Sequence, residues 1–466
     1  MLKVALYNLG CKVNSYEADV MQQNLQENGF MIVPFDEKAD IYLVNTCTVT
    51  NIADQKSRKK LHQARKANPD AIVVAVGCFV QVEEEALKET SIDLAIGNYK
   101  KNELVPILNE YLKNRPLNYK TLGGKTIIDI NKETTYEEMS LTKISSHTRA
   151  FIKIQDGCNE FCSYCIIPYA RGRVRSRREE SIKSELTKLV NAGNREVVLT
   201  GINLSSYGDD FNDKNALLRL LNNISDIPNL SRIRLGSLEP RLITDEFIKE
   251  ITNLPKVCPH FHLSLQSGSD TVLKRMNRHY TTAEYYEKAK LIKEAYQTIF
   301  GKEPALTTDI IVGFPGETKE EFTLTEEFVR KVGFSAVHIF KYSKRKGTKA
   351  ASMPNQITAA EKKARSLRLH EISSELTKRF MGGYIGKDVT VILEEEKMIG
   401  GTKYLVGYTA EYLRVALPPA EFPDGQPPPG LMVSAIITGF LADDILITSL
   451  RPPSRNLNNP DIKLDH

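Results

Sequence analysis

"FIKIQDGCNEFCSYC", residues 151–165, runs from an apolar, strand-like segment straight into three cysteines spaced x3 and x2. A structural zinc site in one loop usually pairs its cysteines and closes a tetrahedron with four ligands. Three protein ligands leave one coordination position for a substrate, which is the mark of a catalytic metal centre. The residues alone leave two candidates. One is a [4Fe–4S] cluster with one iron not held by the chain, since such spacings let one loop wrap a cluster's corners. The other is zinc completed by His147 or Cys258.

Downstream of this loop, strand-like runs recur at 196–200 (EVVLT), 232–236 (RIRLG), 261–265 (FHLSL), 307–313 (TTDIIVG) and 336–342 (AVHIFKY). Helical stretches such as 179–193 and 282–296 separate them. With "FIKI" they make six β/α units, three quarters of a TIM barrel, whose functional residues belong just after the strands. "DGC", "GIN", "SLEP", "QSGS" and "FPGE" all fall there.

Upstream, "KVALYNL" (3–9), "DIYLVN" (40–45) and "AIVVAV" (71–76) alternate with helical patterns at 15–28 and 52–67. This βαβαβ order predicts a parallel sheet. Each run is followed almost at once by a cysteine: Cys11, Cys47 and Cys78, about one βαβ unit apart. Parallel strands carry all three to the carboxyl edge, where open α/β sheets bind their ligands. The alternative is three cysteines buried as small hydrophobes. Beyond residue 380 the character changes to β-branched runs separated by Gly- and Pro-rich turns, about five short strands that suggest a small barrel of oligonucleotide-binding type.

The resulting division is 1–115 for the parallel sheet, 116–143 for a polar linker, 144–379 for the partial barrel, 380–450 for the all-β barrel and 451–466 for a disordered tail. The fold class is therefore α/β multidomain with a C-terminal β-barrel. Seven cysteines in 466 residues are too sparse for a disulfide scaffold and lean towards metal or catalysis. No run of about 18 apolar residues or signal-type N-terminus is present, so a cytoplasmic protein with no membrane partner is expected. The formal charge of +5 says little, but basic residues concentrate at 56–66, 171–178 and 341–349, which favours a polyanionic partner such as nucleic acid.

"CNEFCSYCIIPYARGRVRSR" resembles the cluster motif of the radical S-adenosylmethionine (SAM) superfamily. More narrowly, "YNLGCKVNSYE", "VNTCTVTNIADQKSRK", "AVGCFVQ", "LTGINLSSYG", "LSLQSGSDTVLKRMNRHY" and "TTDIIVGFPGET" are similar, in order, to the methylthiotransferase family. The resemblance runs from about residue 3 to 450. It implies an N-terminal cluster domain, a radical SAM partial barrel and a C-terminal TRAM barrel that helps bind RNA. It implies that Cys158, Cys162 and Cys165 hold a [4Fe–4S] cluster that binds SAM, whose reductive cleavage yields a 5′-deoxyadenosyl radical. Cys11, Cys47 and Cys78 would hold a second [4Fe–4S] cluster concerned with the inserted sulfur. An unactivated C–H bond, such as C2–H of adenine, is out of reach of a side-chain base tuned near neutral pH, and hydrogen-atom abstraction avoids that limit.

By the same resemblance Gly201, Asn203, Glu239, Gln266 and Asp309 are candidates to line the SAM and substrate pocket, with strand-capping turn roles as the alternative for each. Arg171, Arg173, Arg175, Arg177, Lys344 and Arg345 are candidates for contact with RNA phosphates. An external electron donor and a sulfur source are expected partners. Lys12-Val13-Asn14 after the first cysteine matches the branch acting on N6-threonylcarbamoyladenosine (t6A) beside the tRNA anticodon. The isopentenyladenosine branch reads Gln-Met-Asn there, and the ribosomal-protein aspartate branch Pro-Lys-Asn. The expected product is 2-methylthio-t6A. A non-catalytic zinc and RNA-binding module is the alternative of a different class.

Overall fold

The parallel sheet has five strands: β1 (Lys3–Asn8), β2 (Met31–Val33), β3 (Ile41–Thr46), β4 (Ile72–Gly77) and β5 (Leu94–Ile96), in the order β2-β1-β3-β4-β5. The computed structural model describes residues 1–83, 88, 91–114, 126–143, 148–422 and 427–451. Every residue of β3 and β4 is buried, which is why these strands read as continuous apolar runs. Val4, Leu43 and Val74 pack on one face with Leu104 and Leu108, while Ala5, Val44, Val73 and Leu61 pack on the other. The helices are α1 (Lys12–Glu27), α2 (Asn51–Ala67), α3 (Cys78–Val82) and α4 (Leu104–Asn114). Thr50 caps α2 by accepting from Ala53 N. After β2 the chain returns across β1 to build β3, so the strand order reverses between β1 and β3. Such a switch point is where doubly wound sheets open a ligand crevice.

Six parallel strands form the partial barrel, in the sequence-expected order. They begin with β6 (Arg149–Lys153), followed by a short antiparallel pair, β7 (Gln155–Asp156) with β8 (Arg175–Ser176). Then come β9 (Glu196–Thr200), β10 (Arg232–Leu235) with its continuation β11 (Ser237–Leu238), β12 (His260–Leu263), β13 (Ala305–Val312) and β14 (Ala336–Lys341). The third strand is broken at Gly236, where a Cβ would stand 3.0 Å from Leu199 O. β10 therefore pairs with β9, and β11 with β12. Short α5 (Ile167–Arg171) follows the cysteine loop. The later helices are α6 (Glu179–Asn191), α7 (Ala216–Ser225), α8 (Asp245–Thr252), α9 (Asp270–Arg275), α10 (Thr282–Phe300), α11 (Lys319–Val332) and α12 (Ala359–Gly382). Capping boxes Thr281/Glu284 and Thr318/Glu321 start α10 and α11.

The polar stretch expected as a linker is, over its described part 126–143, a packed strap. Ile127, Ile130, Met139 and Leu141 are buried. Gln81 Nε2 donates to Ile128 O (2.9 Å) and the Tyr16 hydroxyl to Met139 O (2.7 Å). His147, the proposed fourth zinc ligand, lies outside the described residues, as does the tail from 452 onward.

The chain divides into units Met1–Ser374 and Glu375–His466. In the second, β15 (Asp388–Ile399), β16 (Thr402–Thr409), β17 (Arg414–Leu417), β18 (Met432–Ala442) and β19 (Ile445–Leu450) close into a barrel in the order β15-β16-β17-β19-β18. Closure removes sheet edges. The run 403–417 is cut into two strands by a turn at Tyr412, whose φ is +69°. Among the described residues no helix is long and apolar enough to cross a membrane.

Candidate functional site

The sheet delivers its three cysteines to one edge. Cys11 is the N-cap of α1, Cys47 follows β3 and Cys78 opens α3. Gly10 has φ +114°, and a Cβ there would stand 3.2 Å from Cys47 Cβ, so only glycine lets the first loop lie this close to the second. Asn14 Nδ2 fastens the two by donating to Leu9 O (2.7 Å) and Thr46 O (3.1 Å). Burial pushes the Cys47 thiol up to about 12, and the neighbouring Cys78 adds to it. Cys11 is exposed at the edge of the group, yet packed closely enough that desolvation raises its thiol while Arg171 opposes the rise.

The second triad sits between β7 and α5. Gly157 (φ +72°) is required because a Cβ would overlap the Arg173 carbonyl. The loop is pinned by Cys158 N to Gly172 O (3.1 Å), Ser163 N to Met276 O (2.9 Å) and Ala350 N to Ser163 O (2.7 Å). Arg278 Nη1 donates to Cys162 Sγ at 3.2 Å, and its Nη2 donates to Glu239 Oε1 at 2.7 Å. Burial pushes the Cys158 thiol up to about 12 and raises Cys165 as well. Burial of this kind favours the protonated thiol. A coordinating metal displaces that proton, and six thiols in two groups of three fit metal centres.

Among the described residues, His262, Asp309 and His338 form a further group whose donor atoms all lie within 4.8 Å of one another. Cys258 is buried at the start of the β12 region, in neither triad.

A cavity of about 220 Å³ is bounded on one side by Tyr164, Cys165, Ile166 and Ile167 of the second cysteine loop. Val49 and Thr50, just past Cys47, bound it elsewhere. Gln266, Asp309, Ile311 and Phe340 supply the barrel wall. Gln266 adopts φ +76° and is locked by Gln266 N to Asp309 O (2.8 Å) and Ile311 N to Gln266 O (2.9 Å). The structure thus brings Gln266 and Asp309 together beside Cys165. Gly201, Asn203 and Glu239 do not line this cavity. Gly201 packs on Gln155, whose Oε1 accepts from Ile202 N and Asn203 N. The Asn203 side chain caps its own turn, accepting from Ser205 N (3.1 Å). Glu239 is held between Arg278 and Arg241.

The expectation of RNA contact is corrected for Arg171, Arg175, Arg177 and Arg345, which are buried and paired within the protein. Arg171 donates to Glu17 Oε1 (2.9 Å), Asp156 Oδ1 (3.0 Å) and Asn14 Oδ1 (2.6 Å). Arg175 donates to Arg171 O (2.9 Å) and Arg173 O (3.1 Å). Arg177 pairs with Glu185 and Glu138. Arg345 donates to Asn51 Oδ1 (2.8 Å), Thr48 Oγ1 (2.7 Å) and Glu83 Oε1 (3.0 Å), and pairs with Asp54. A sealed guanidinium has no face left for a phosphate. Arg173, over the Phe161 ring at 4.4 Å, and Lys344 are exposed. Sequence reading missed the acidic partners, Glu17 and Asp156, which also take Lys101 and Lys153. Burial works against the Glu17 carboxylate, yet Arg171, Lys101 and Lys153 hold it well below the usual range.

Comparison with known proteins matches residues 3–97 to "Uncharacterized protein family UPF0004" and 152–329 to the radical SAM superfamily. Threonylcarbamoyladenosine tRNA methylthiotransferase MtaB of Bacillus subtilis is 38% identical over 90% of this chain and 91% of its own length. The protein of that name from Aquifex aeolicus is 38% identical over 87% of this chain and 96% of its own. The tRNA-2-methylthio-N(6)-dimethylallyladenosine synthase of Thermoanaerobacter pseudethanolicus is 37% identical over 83% and 80%. Among solved structures, the radical S-adenosylmethionine methyltransferase TsrM of Kitasatospora setae, with cobalamin and a [4Fe–4S] cluster bound, superposes with a TM-score of 0.56. It is 16% identical and covers 75% of this chain and 77% of that one, a likeness of fold.

Proposed function

The chain belongs to the radical SAM methylthiotransferase family, and from that premise we propose that it converts t6A at position 37 of tRNA to 2-methylthio-t6A. The observation that carries this reading is a cavity bounded by both cysteine loops, lined by Cys165 and by the residues just past Cys47. A reaction that abstracts hydrogen from a carbon and then places sulfur on it needs both reactive centres at one substrate. Cys158, Cys162 and Cys165 would hold a [4Fe–4S] cluster that takes SAM, and Cys11, Cys47 and Cys78 would hold a second. When bound, these groups supply the electron that cleaves SAM and the site of sulfur delivery.

The remaining work belongs to the chain. Gln266 and Asp309 wall the cavity, and the Gly201–Asn203 turn and Glu239 brace the second cysteine loop from behind. Tyr164, Ile166 and Ile167 give the cavity an apolar lining that excludes water. Arg173 and Lys344 are the remaining phosphate contacts, and the C-terminal barrel adds RNA-binding surface. The protein would work in the cytoplasm with an external electron donor and a sulfur source.

The choice of t6A is supported by Lys12-Val13-Asn14 and by the names of the relatives from B. subtilis and A. aeolicus, while the T. pseudethanolicus relative keeps isopentenyladenosine in the test. Anaerobically reconstituted protein is incubated with SAM, reductant and tRNA bearing either modification, and nucleosides are read by mass spectrometry. About eight irons per chain and product on t6A alone are expected. A colourless zinc protein, or equal turnover on the isopentenyl form, would defeat the proposal.

A further inference from the structure

Three polar side chains on neighbouring barrel strands meet, one of them on the cavity wall, and neither cysteine triad uses them. His262 on β12, Asp309 on β13 and His338 on β14 place donor atoms within 4.8 Å of one another. The register explains it. Asp309 pairs with His338, and His262 pairs with Thr307, two residues before Asp309 and so on the same face. The Thr307 hydroxyl stands 3.0 Å from His262 Nδ1, which leaves Nε2 at 3.3 Å from Asp309 Oδ2. The two imidazoles are 5.7 Å apart, centre to centre. Asp309 is itself a cavity wall, and so is Phe340, two residues past His338 and 47% exposed.

A carboxylate with two imidazoles suits either a divalent cation or an organic group rich in both donors and acceptors. Position decides between them: Asp309 and Phe340 line the cavity that both cysteine loops bound, where a base held for two-centre chemistry would lie.

Resting on the t6A reading above, we propose that His262, Asp309 and His338 form the recognition pocket for the threonylcarbamoyl arm of the base. Its ureido N–H groups donate to Asp309. Its carbonyl and carboxylate oxygens accept from the imidazoles. An isopentenyl arm has none of these groups and can make none of these hydrogen bonds.

The test uses the cluster-loaded full chain with SAM and anticodon stem-loops carrying adenosine, t6A or isopentenyladenosine, with affinity read by fluorescence anisotropy. Two variants are made, His338→Phe at an exposed position and Asp309→Asn, which keeps the side chain's shape. The wild type should bind the t6A loop about tenfold tighter than the adenosine loop, the value of one charge-assisted hydrogen bond. Each variant should lose most of that advantage, and His338→Phe should bind the adenosine loop within about twofold of the wild type. An advantage that survives in both variants, or a uniform loss on all three loops, overturns the proposal. So does zinc retained by the loaded wild type and lost from both variants with RNA preference unchanged, since that makes the set a metal site. Product on t6A-tRNA is measured alongside. Its absence from the wild type defeats the substrate reading, whereas product with unaltered preference in the variants defeats only the pocket.

Discussion

Replacing Arg171 with Met should unfold the first unit more easily, whereas replacing Arg173 with Met should weaken RNA binding, although the two belong to one basic run. The Arg171 guanidinium is fully buried and donates to Glu17, Asp156 and Asn14. Its loss leaves Glu17 and Asp156 buried with Lys101, Lys153 and, at 3.9 Å, Arg175 to compensate, and removal of one partner from such a set costs about 3–5 kcal/mol. At roughly 2 °C per kcal/mol for a unit of this size, the melting temperature should fall by about 6–10 °C. Arg173 gives up only an exposed contact with Phe161, so Arg173→Met should cost less than about 1 kcal/mol. The chain has no tryptophan, so calorimetry or far-ultraviolet circular dichroism is the assay, on protein before cluster loading so that metal retention does not enter. tRNA affinity is then measured against salt on loaded protein. An Arg171→Met variant that melts within 2 °C of the wild type while flattening the salt dependence as Arg173→Met does would refute the burial argument.

The two triads should separate by role: Cys165→Ala should abolish both 5′-deoxyadenosine formation and product, while Cys47→Ala should keep measurable 5′-deoxyadenosine and make no product. Equal loss of cleavage in both, with the other cluster still assembled, would contradict that division. Burial opposes ionisation of Glu17 and Asp156, but Arg171 and the lysines hold both carboxyls below their unfolded values near 4. The stability they supply is therefore complete above about pH 4 and lost as the pH falls through their lower folded values. Acid melting should set in below about pH 4, and an acid transition that Arg171→Met leaves in place would count against the network. Removing residues from Gly383 onward, which leaves α12 whole, should weaken tRNA binding and lower its salt slope while SAM cleavage without RNA persists. Unchanged affinity in the folded truncate would sink that role.

What the sequence made legible is what the backbone period dictates. β3, β4 and β9 are buried along their whole length and announce themselves as apolar runs. β2 and β5, three residues each at the sheet edges, are too short to leave a pattern. The strap at 126–143 was hidden because Ile127, Ile130, Met139 and Leu141 are scattered among polar residues. Cys11, Cys47 and Cys78 were readable because repetition after successive parallel strands is a statement about topology. Gln266 lies just past β12 at the same carboxyl edge, whereas Asp309 lies within β13 and was a candidate by the resemblance alone. The arginines were misread because a count of charges says nothing of partners far away in the chain, and Glu17 is such a partner.

Arg171 shows what those distant partners accomplish. It lies six residues past Cys165, at the end of the helix that follows the second triad. It donates to Asn14 and Glu17, on the helix that Cys11 begins. Asn14 in turn ties the Leu9 and Thr46 carbonyls, the strand ends that carry Cys11 and Cys47. One buried guanidinium therefore rivets the loop of one triad to the loops of the other. Changing the separation of the two centres means breaking this network, at about 3–5 kcal/mol. That cost holds Cys165 and the residues just past Cys47 around one cavity, which is the geometry that two-centre chemistry on a single base requires.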